Sequence, residues 1–233
     1  MSTVNATPTQ DHGVPGEVAA DVLVTRDGMR LTVRPIQPDD KGGLARGFER
    51  LSEESRYRRF LAPIKRLTSS DLTYLTELDH RDHEALVAVT PGKEIVGVAR
   101  YVRLGERSTM AEVAVTVADE WQQRGIGTGL LQRLARRANV AGIHTFVGIC
   151  LASNSSMIQL LRELDPAAAV VTQGPGVVEV DVELPTTAPR RRIADILRDV
   201  ARTGSHAVPM NEPFRANQRH ARSSCVAATE RVE

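Results

Sequence analysis

Gln122-Gln123-Arg124-Gly125-Ile126-Gly127-Thr128-Gly129 is the stretch whose reading decides the fold. Ahead of it, Met110 to Val117 is β-branched and alternating, the pattern of a strand. Behind it, Leu130, Leu131, Leu134, Ala135 and Ala138 recur at helical spacing. A strand feeding a glycine-rich turn that opens a helix is a geometry for holding phosphate. The first N–H groups of such a helix have no internal partner, and its dipole adds positive charge there. The missing side chains of Gly125, Gly127 and Gly129 would let an anion approach the backbone.

Two common phosphate motifs do not fit. A dinucleotide site wants G-x-G-x-x-G directly after its strand, but Leu130 stands where the third glycine belongs. A P-loop needs Gly-Lys-Ser/Thr, and no lysine follows these glycines. What remains, Gln122-x-x-Gly125-x-Gly127, resembles the pyrophosphate-binding motif of the Gcn5-related N-acetyltransferases, which bind coenzyme A.

Composition frames the rest. The chain has 233 residues, 41% hydrophobic, with 30 basic and 29 acidic side chains, enough for one domain with a core plus flanking segments. The near-zero net charge and 3% aromatic content give no case for a nucleic-acid binder. Two cysteines, Cys150 and Cys225, make neither a disulfide framework nor a metal set. No transmembrane stretch or signal peptide is apparent, so a cytoplasmic protein is expected.

In chain order, residues 1–20 read as a disordered arm. Residues 21–184 read as the domain, and 185–233 as a tail with a possible helix at 190–200. Asp21 to Thr25 and Leu31 to Arg34 form strands around an Asp27-Gly28 turn, and a helix starts near Lys41. Between Leu51 and Phe60, Tyr57 and Phe60 are expected to pack with Arg56, Arg58 and Arg59 at the rim; the other reading is an acidic-ligand patch. Ser69-Ser70-Asp71 is expected to cap a short helix through Leu72, Leu75 and Leu78. Asp79-His80-Arg81-Asp82-His83-Glu84 reads as a solvated turn, a loop lining a substrate mouth, or a metal site lacking a third ligand at fixed spacing. Strands follow at 85–89, 94–104 and 110–117, then the long helix, a strand at 145–151, a helix from Asn154 and two last strands. This order predicts an α+β (mixed α/β) fold, with strands grouped rather than strictly alternating with helices.

The same order is that of the acetyltransferase family, which implies a mostly antiparallel sheet of six to seven strands with helices on both faces. Leu51 to Phe60, Ala111-Glu112-Val113-Ala114 and Asn154-x-x-Met157 further resemble the acetyltransferase domain of bacterial protein-lysine acetyltransferases. No cyclic-nucleotide-binding or acyl-CoA synthetase-like domain is apparent beside it, so the resemblance bears on the chemistry more than on regulation. It implies acetyl-CoA as co-substrate, no metal, and as acceptor a protein lysine, as in an acyl-CoA synthetase, or a small amine. It also implies main-chain contacts from Val115 and Val117 to the pantetheine arm, beside a strand bulge. Gln122, Gln123, Arg124, Gly125, Ile126, Gly127 and Thr128 would wrap the pyrophosphate. Asn154 would bond the pantetheine or simply cap its helix.

Glu112 is the candidate general base. A carboxylate in an apolar strand needs a reason, and burial would raise its pKa. The other reading pairs it with Arg100 or Arg103. The resemblance also implies a tyrosine shortly after Asn154 to protonate the leaving thiolate, but no tyrosine follows Tyr101, and Ser155 and Ser156 stand in that region, so a serine or water would have to serve. That gap keeps a CoA-binding sensor with little turnover as the competing function.

Overall fold

The computed structural model describes residues 21–185. The expected arm at 1–20 and the helix at 190–200 lie outside the described residues. A hairpin of β1 (Asp21–Val24) and β2 (Arg30–Pro35) comes first, then α1 (Lys41–Glu49), α2 (Glu53–Phe60) and α3 (Ser69–Thr76). Next come β3 (His83–Val89), β4 (Ile95–Arg103) and β5 (Met110–Val117). Helix α4 (Ile126–Val140) leads to β6 (Thr145–Leu151), and α5 (Ser155–Arg162) precedes β7 (Ala169–Gly174) and β8 (Val177–Glu183). The fold is the mixed α/β arrangement expected, with eight strands rather than six to seven. Their order is β1-β2-β3-β4-β5-β6-β8-β7, antiparallel except for β5 beside β6. Among the described residues no helix is long and apolar enough to cross a membrane.

Two helix starts differ from expectation, each for a local reason. Residues 53–60 form a helix because the Ser52 hydroxyl caps it, accepting the Ser55 N–H at 3.1 Å. Glu53 and Glu54 in its first turn and Arg58 and Arg59 in its last complement the helix dipole. Helix α3 is capped one residue earlier than expected. Thr68 and Asp71 form a reciprocal box, the hydroxyl accepting the Asp71 N–H and the carboxylate accepting the Thr68 N–H.

The sheet is covered on both faces. Helices α4 and α5 pack over Ala99, Tyr101, Ala111, Val113, Phe146 and Val180. The opposite face buries Ile36, Val87, Val89 and Ile95 against Leu44 and Leu78. Leu130 and Leu134 are fully buried, each stabilising the fold by roughly 1.5–3 kcal/mol. Gly97 of β4 lets α4 lie directly on the sheet, since a Cβ there would meet Ile126 at 2.9 Å and Leu130 at 3.0 Å. Gly129 serves the same end: a Cβ would overlap Leu23. It is therefore a packing glycine and not an opening for an anion, which corrects the sequence reading.

The feature that positions the site is the seam between β5 and β6. Their ladder runs only from Met110↔Thr145 to Val113↔Gly148, although β5 continues to Val117 and β6 to Leu151. At Gly148, where pairing stops, Leu161 of α5 sits where a Cβ would be. The expected bulge is absent from the β4–β5 pairing, which runs in step from Gly97↔Val117 to Arg103↔Ala111. The strands part because their shared ladder ends while each keeps its outer partner.

Candidate active site

The backbone of β5 beyond Val113 shows what the parted strands offer. At one end of the β4–β5 ladder Ala118 N–H donates to Val96 C=O, and at the other Leu104 N–H donates to Met110 C=O. Antiparallel pairing alternates, so 112, 114 and 116 direct their main-chain groups to β4. Val115 and Val117 direct theirs to the opening beside β6. The Val117 carbonyl accepts the Gln122 side-chain amide at 3.2 Å, and that amide also donates to Asp119 Oδ1 at 3.1 Å. Gln122 thus braces the turn below the cleft.

The glycine turn lies at the same end of the cleft. Gln123 and Gly125 both take left-handed backbone, φ 60° and 84°, which aims the chain into α4. The first α4 bond joins Gly129 N–H to Gly125 C=O, and no side chain caps the helix. The N–H groups of Ile126, Gly127 and Thr128 are the orphan donors of this helix start. The Ile126 side chain is buried in the core, so its offering is the backbone alone. The Gly127 Cα faces Leu160 and Val115, where a Cβ would make ordinary contact. The Thr128 hydroxyl donates to Glu163 at 2.7 Å.

The Arg124 side chain is engaged elsewhere. It bonds Asp27 at 2.9 Å and the Glu120 carbonyl at 3.0 Å, over the Trp121 ring. The neighbouring cation is Arg26, from the β1–β2 turn. Its N–H donates to the Arg124 carbonyl at 3.0 Å, its Nη1 to the Gln123 carbonyl at 3.3 Å, and its side chain passes beside Gly125. Sequence reading found the Asp27-Gly28 turn but not this docking, which joins residues about a hundred positions apart. Asn154 caps α5, its Oδ1 accepting Met157 N–H at 3.2 Å. Ser155 and Ser156 open the helix where a tyrosine was missed.

Glu112 lies on the other face of β5, next to the same opening. Its cross-strand neighbours there are Val102 on β4 and Val147 on β6. The side chain reaches solvent, contrary to the burial expected, yet surrounding protein raises its pKa above the ordinary glutamate value while Arg59 draws it back. The alternative ion pairs are not formed. Arg100 bonds the Leu75 carbonyl and His83 Nε2, at 3.0 and 3.2 Å. Arg103 bonds Asp82 at 2.7 Å and the carbonyls of Ser108 and Ala141. In α2, Phe60 packs edge-on against Phe48 as expected. Tyr57 is 44% exposed, and Arg59 turns inward to line a cavity with Ala114 and Thr116, reversing the expected rim arrangement.

Residues 79–84 are a structured corner. Asp79 Oδ1 accepts three successive N–H groups, from Arg81, Asp82 and His83. Glu84 is fully buried and holds Arg137 of α4 at 2.6 Å, His80 at 2.8 Å and the Ala85 N–H at 2.9 Å. Among the described residues no group of three or more His, Cys, Asp or Glu is placed to hold a metal ion.

Comparison with known proteins places this geometry. A model of the acetyltransferase (GNAT) family matches residues 49–165. Acetyltransferase Pat of Mycolicibacterium smegmatis is 36% identical over 188 residues, 78% of this chain and 55% of that protein. The chain thus spans about half the length of that relative. The crystal structure of the GNAT domain of S. lividans PAT is 35% identical, with TM-score 0.66, over 71% of this chain and 97% of that one. The structure of yncA from Salmonella typhimurium with its cofactor acetyl-CoA shares the fold at 18% identity and TM-score 0.53, over 70% of this chain and 98% of that one. This chain belongs to the acetyltransferase (GNAT) family and is an acetyltransferase domain related to these bacterial proteins.

Proposed function

We propose that the domain is an N-acetyltransferase that binds acetyl-CoA in the opening between β5 and β6 and transfers the acetyl group to a protein lysine, with Glu112 as general base. The observation that carries this reading is the ladder ending at Val113↔Gly148. It leaves the main-chain groups of Val115 and Val117 facing the opening, beside an uncapped helix start and one residue from the Glu112 face.

The residues present fit such a co-substrate. The orphan N–H groups of Ile126, Gly127 and Thr128, with Gly125 ahead of them, suit a pyrophosphate, and this role falls to backbone rather than to the Arg124 side chain. Gln122 and Gln123 shape that turn. Val115 and Val117 would run alongside a pantetheine arm, and the free amide nitrogen of Asn154 is a further donor at the α5 start. When bound, acetyl-CoA supplies an activated thioester.

The chain's own residues do the rest. A lysine amine with pKa ~10.4 is protonated in all but about one molecule in a few thousand at pH 7. Glu112 accepts that proton, directly or through water, and its raised pKa makes it a stronger base than an ordinary glutamate. The Val115 N–H is the candidate donor to the thioester oxygen as negative charge develops there. The leaving sulfur takes a proton from water or from Ser155 or Ser156.

The acceptor reading rests on the likeness of Leu51 to Phe60 to bacterial protein-lysine acetyltransferases and on the relationship to Pat. A small amine is the variant acceptor. A CoA-binding module with little turnover is the second reading, favoured by the serines standing in place of a tyrosine. Labelled acetyl-CoA offered with acyl-CoA synthetases, lysine peptides and small amines decides among them. Label on a protein lysine is the expected result. Label on small amines alone, or tight CoA binding with no transfer to any acceptor, would overturn it.

A further inference from the structure

On the Glu112 face of the sheet, α1 and α2 enclose an apolar cavity of about 60 Å³ against β4 and β5. Leu44, Phe48, Phe60 and Leu75 line it, yet two guanidinium groups, those of Arg59 and Arg100, line it as well. Arg100 is 6% exposed, and its partners are a neutral carbonyl, Leu75, and the His83 ring. Arg59 makes no hydrogen bond or ion pair among the described residues, lying instead over the Phe60 ring. No carboxylate bridges either one. Glu112 is the one carboxylate that either feels, and it acts on Arg59 alone, without a hydrogen bond. Two like charges against apolar walls, with that single counter-charge between them, are costly and leave room for an anionic partner.

We propose that Arg59 and Arg100 form an anion subsite in the acceptor half of the cleft, which takes the carboxylate of an aspartate or glutamate close to the target lysine. This rests on the lysine reading above and names the local sequence that the acceptor must have. The cavity admits the end of one acidic side chain and little more, so the rest of the acceptor stays in the open cleft at Glu112. Guanidinium groups match a carboxylate through paired, charge-assisted hydrogen bonds. Burial lowers the proton affinity of both groups, that of Arg100 to about 9 with Arg59 lowering it further, while Glu112 draws that of Arg59 back up; a bound carboxylate would act on both as Glu112 acts on Arg59. Arg59 is also the cation that Glu112 feels, so a carboxylate held there lies close to the amine being deprotonated.

The test uses lysine peptides carrying glutamate in turn at each of the four positions on either side of the lysine, against matched glutamine peptides. The enzymes are the full chain, Arg59→Gln and Arg59→Lys. Steady-state rates and calorimetry in the presence of CoA, where no transfer occurs, are both read. In the native chain at least one position favours glutamate by about 10-fold or more in kcat/KM, carried by KM, the scale of one charge-assisted hydrogen bond. Arg59→Gln brings that ratio close to one, Arg59→Lys retains part of it, and added salt weakens it. A ratio near one at every position in the native chain, or one unchanged in Arg59→Gln, overturns the subsite even if lysines are acetylated. Glutamate-dependent binding by calorimetry with no acetylation upholds the subsite and overturns the lysine reading instead.

Discussion

The two halves of the cleft are made of different material. The half proposed for the coenzyme is backbone: uncapped N–H groups at the start of α4 and the turned-out main chain of Val115 and Val117. The half proposed for the acceptor is side chain: Glu112 from β5, Arg59 from α2, Arg100 from β4 and His83 from β3. The first depends on φ, on glycine and on where a ladder stops. The second depends on which charges four separate elements bring together. Backbone sites tolerate many side chains and fail when bulk or charge enters, whereas side-chain sites fail when one group is exchanged.

That difference can be broken deliberately. Gly127→Glu puts a carboxylate among the orphan N–H groups, so acetyl-CoA affinity should fall by about 100-fold or more by calorimetry. Glu112→Gln should leave that affinity intact while the rate falls by about 10²–10⁴-fold at neutral pH. A variant that loses both properties would show that the halves are not separable.

Glu84→Ala tests a part belonging to neither half. It strands Arg137 and His80 and should cost about 2–3 kcal/mol in denaturant unfolding, below the ~3–5 of a fully enclosed pair because the Arg137 side chain is 38% exposed. The folded variant should bind acetyl-CoA normally.

An effect confined to acid pH, and absent at neutrality, belongs to His83. Burial and Arg100 lower its pKa to about 4, against ~6.5 in an unfolded chain. Between those values the unfolded chain takes up a proton that the native state refuses, so stability falls as pH drops from 6.5 toward 4. His83→Gln keeps an acceptor for Arg100 without a titrating group. Its melting temperature should vary less over that window than the native chain's, and equal variation would remove His83 as the cause.

The strand, glycine turn and helix of the proposed coenzyme half were legible in the sequence because their conformation is written locally. Gly125 and Gly127, the alternating strand before them and the apolar helix after them fixed both element type and placement. Gly129 was misread for the same reason: its role is a contact with Leu23, more than a hundred residues away. The acceptor half was legible only in part. Glu112 stood out as a charge in an apolar strand, but Arg59 looked like one arginine among several on a rim. Nothing local says that α2 turns one of its arginines inward, or that Glu84 rather than the two histidines is the buried member of its cluster. The resemblance implied a bulge beside Val115 and Val117, without saying which strands would part. The cause is a ladder that stops, and that is a property of the two strands together.

The most direct measurement of the central claim is the pH dependence of kcat/KM for the native chain and Glu112→Gln on one lysine acceptor. If Glu112 takes the proton, the native profile loses activity as pH falls through a pKa above the ordinary glutamate value, because the surrounding protein raises it more than Arg59 lowers it. Glu112→Gln should lack that acid limb, and its deficit should shrink as pH approaches the acceptor's own pKa, where free amine is abundant. An acid limb at the same pH in both proteins, or a near-normal rate for Glu112→Gln at pH 7, would contradict Glu112 as the base.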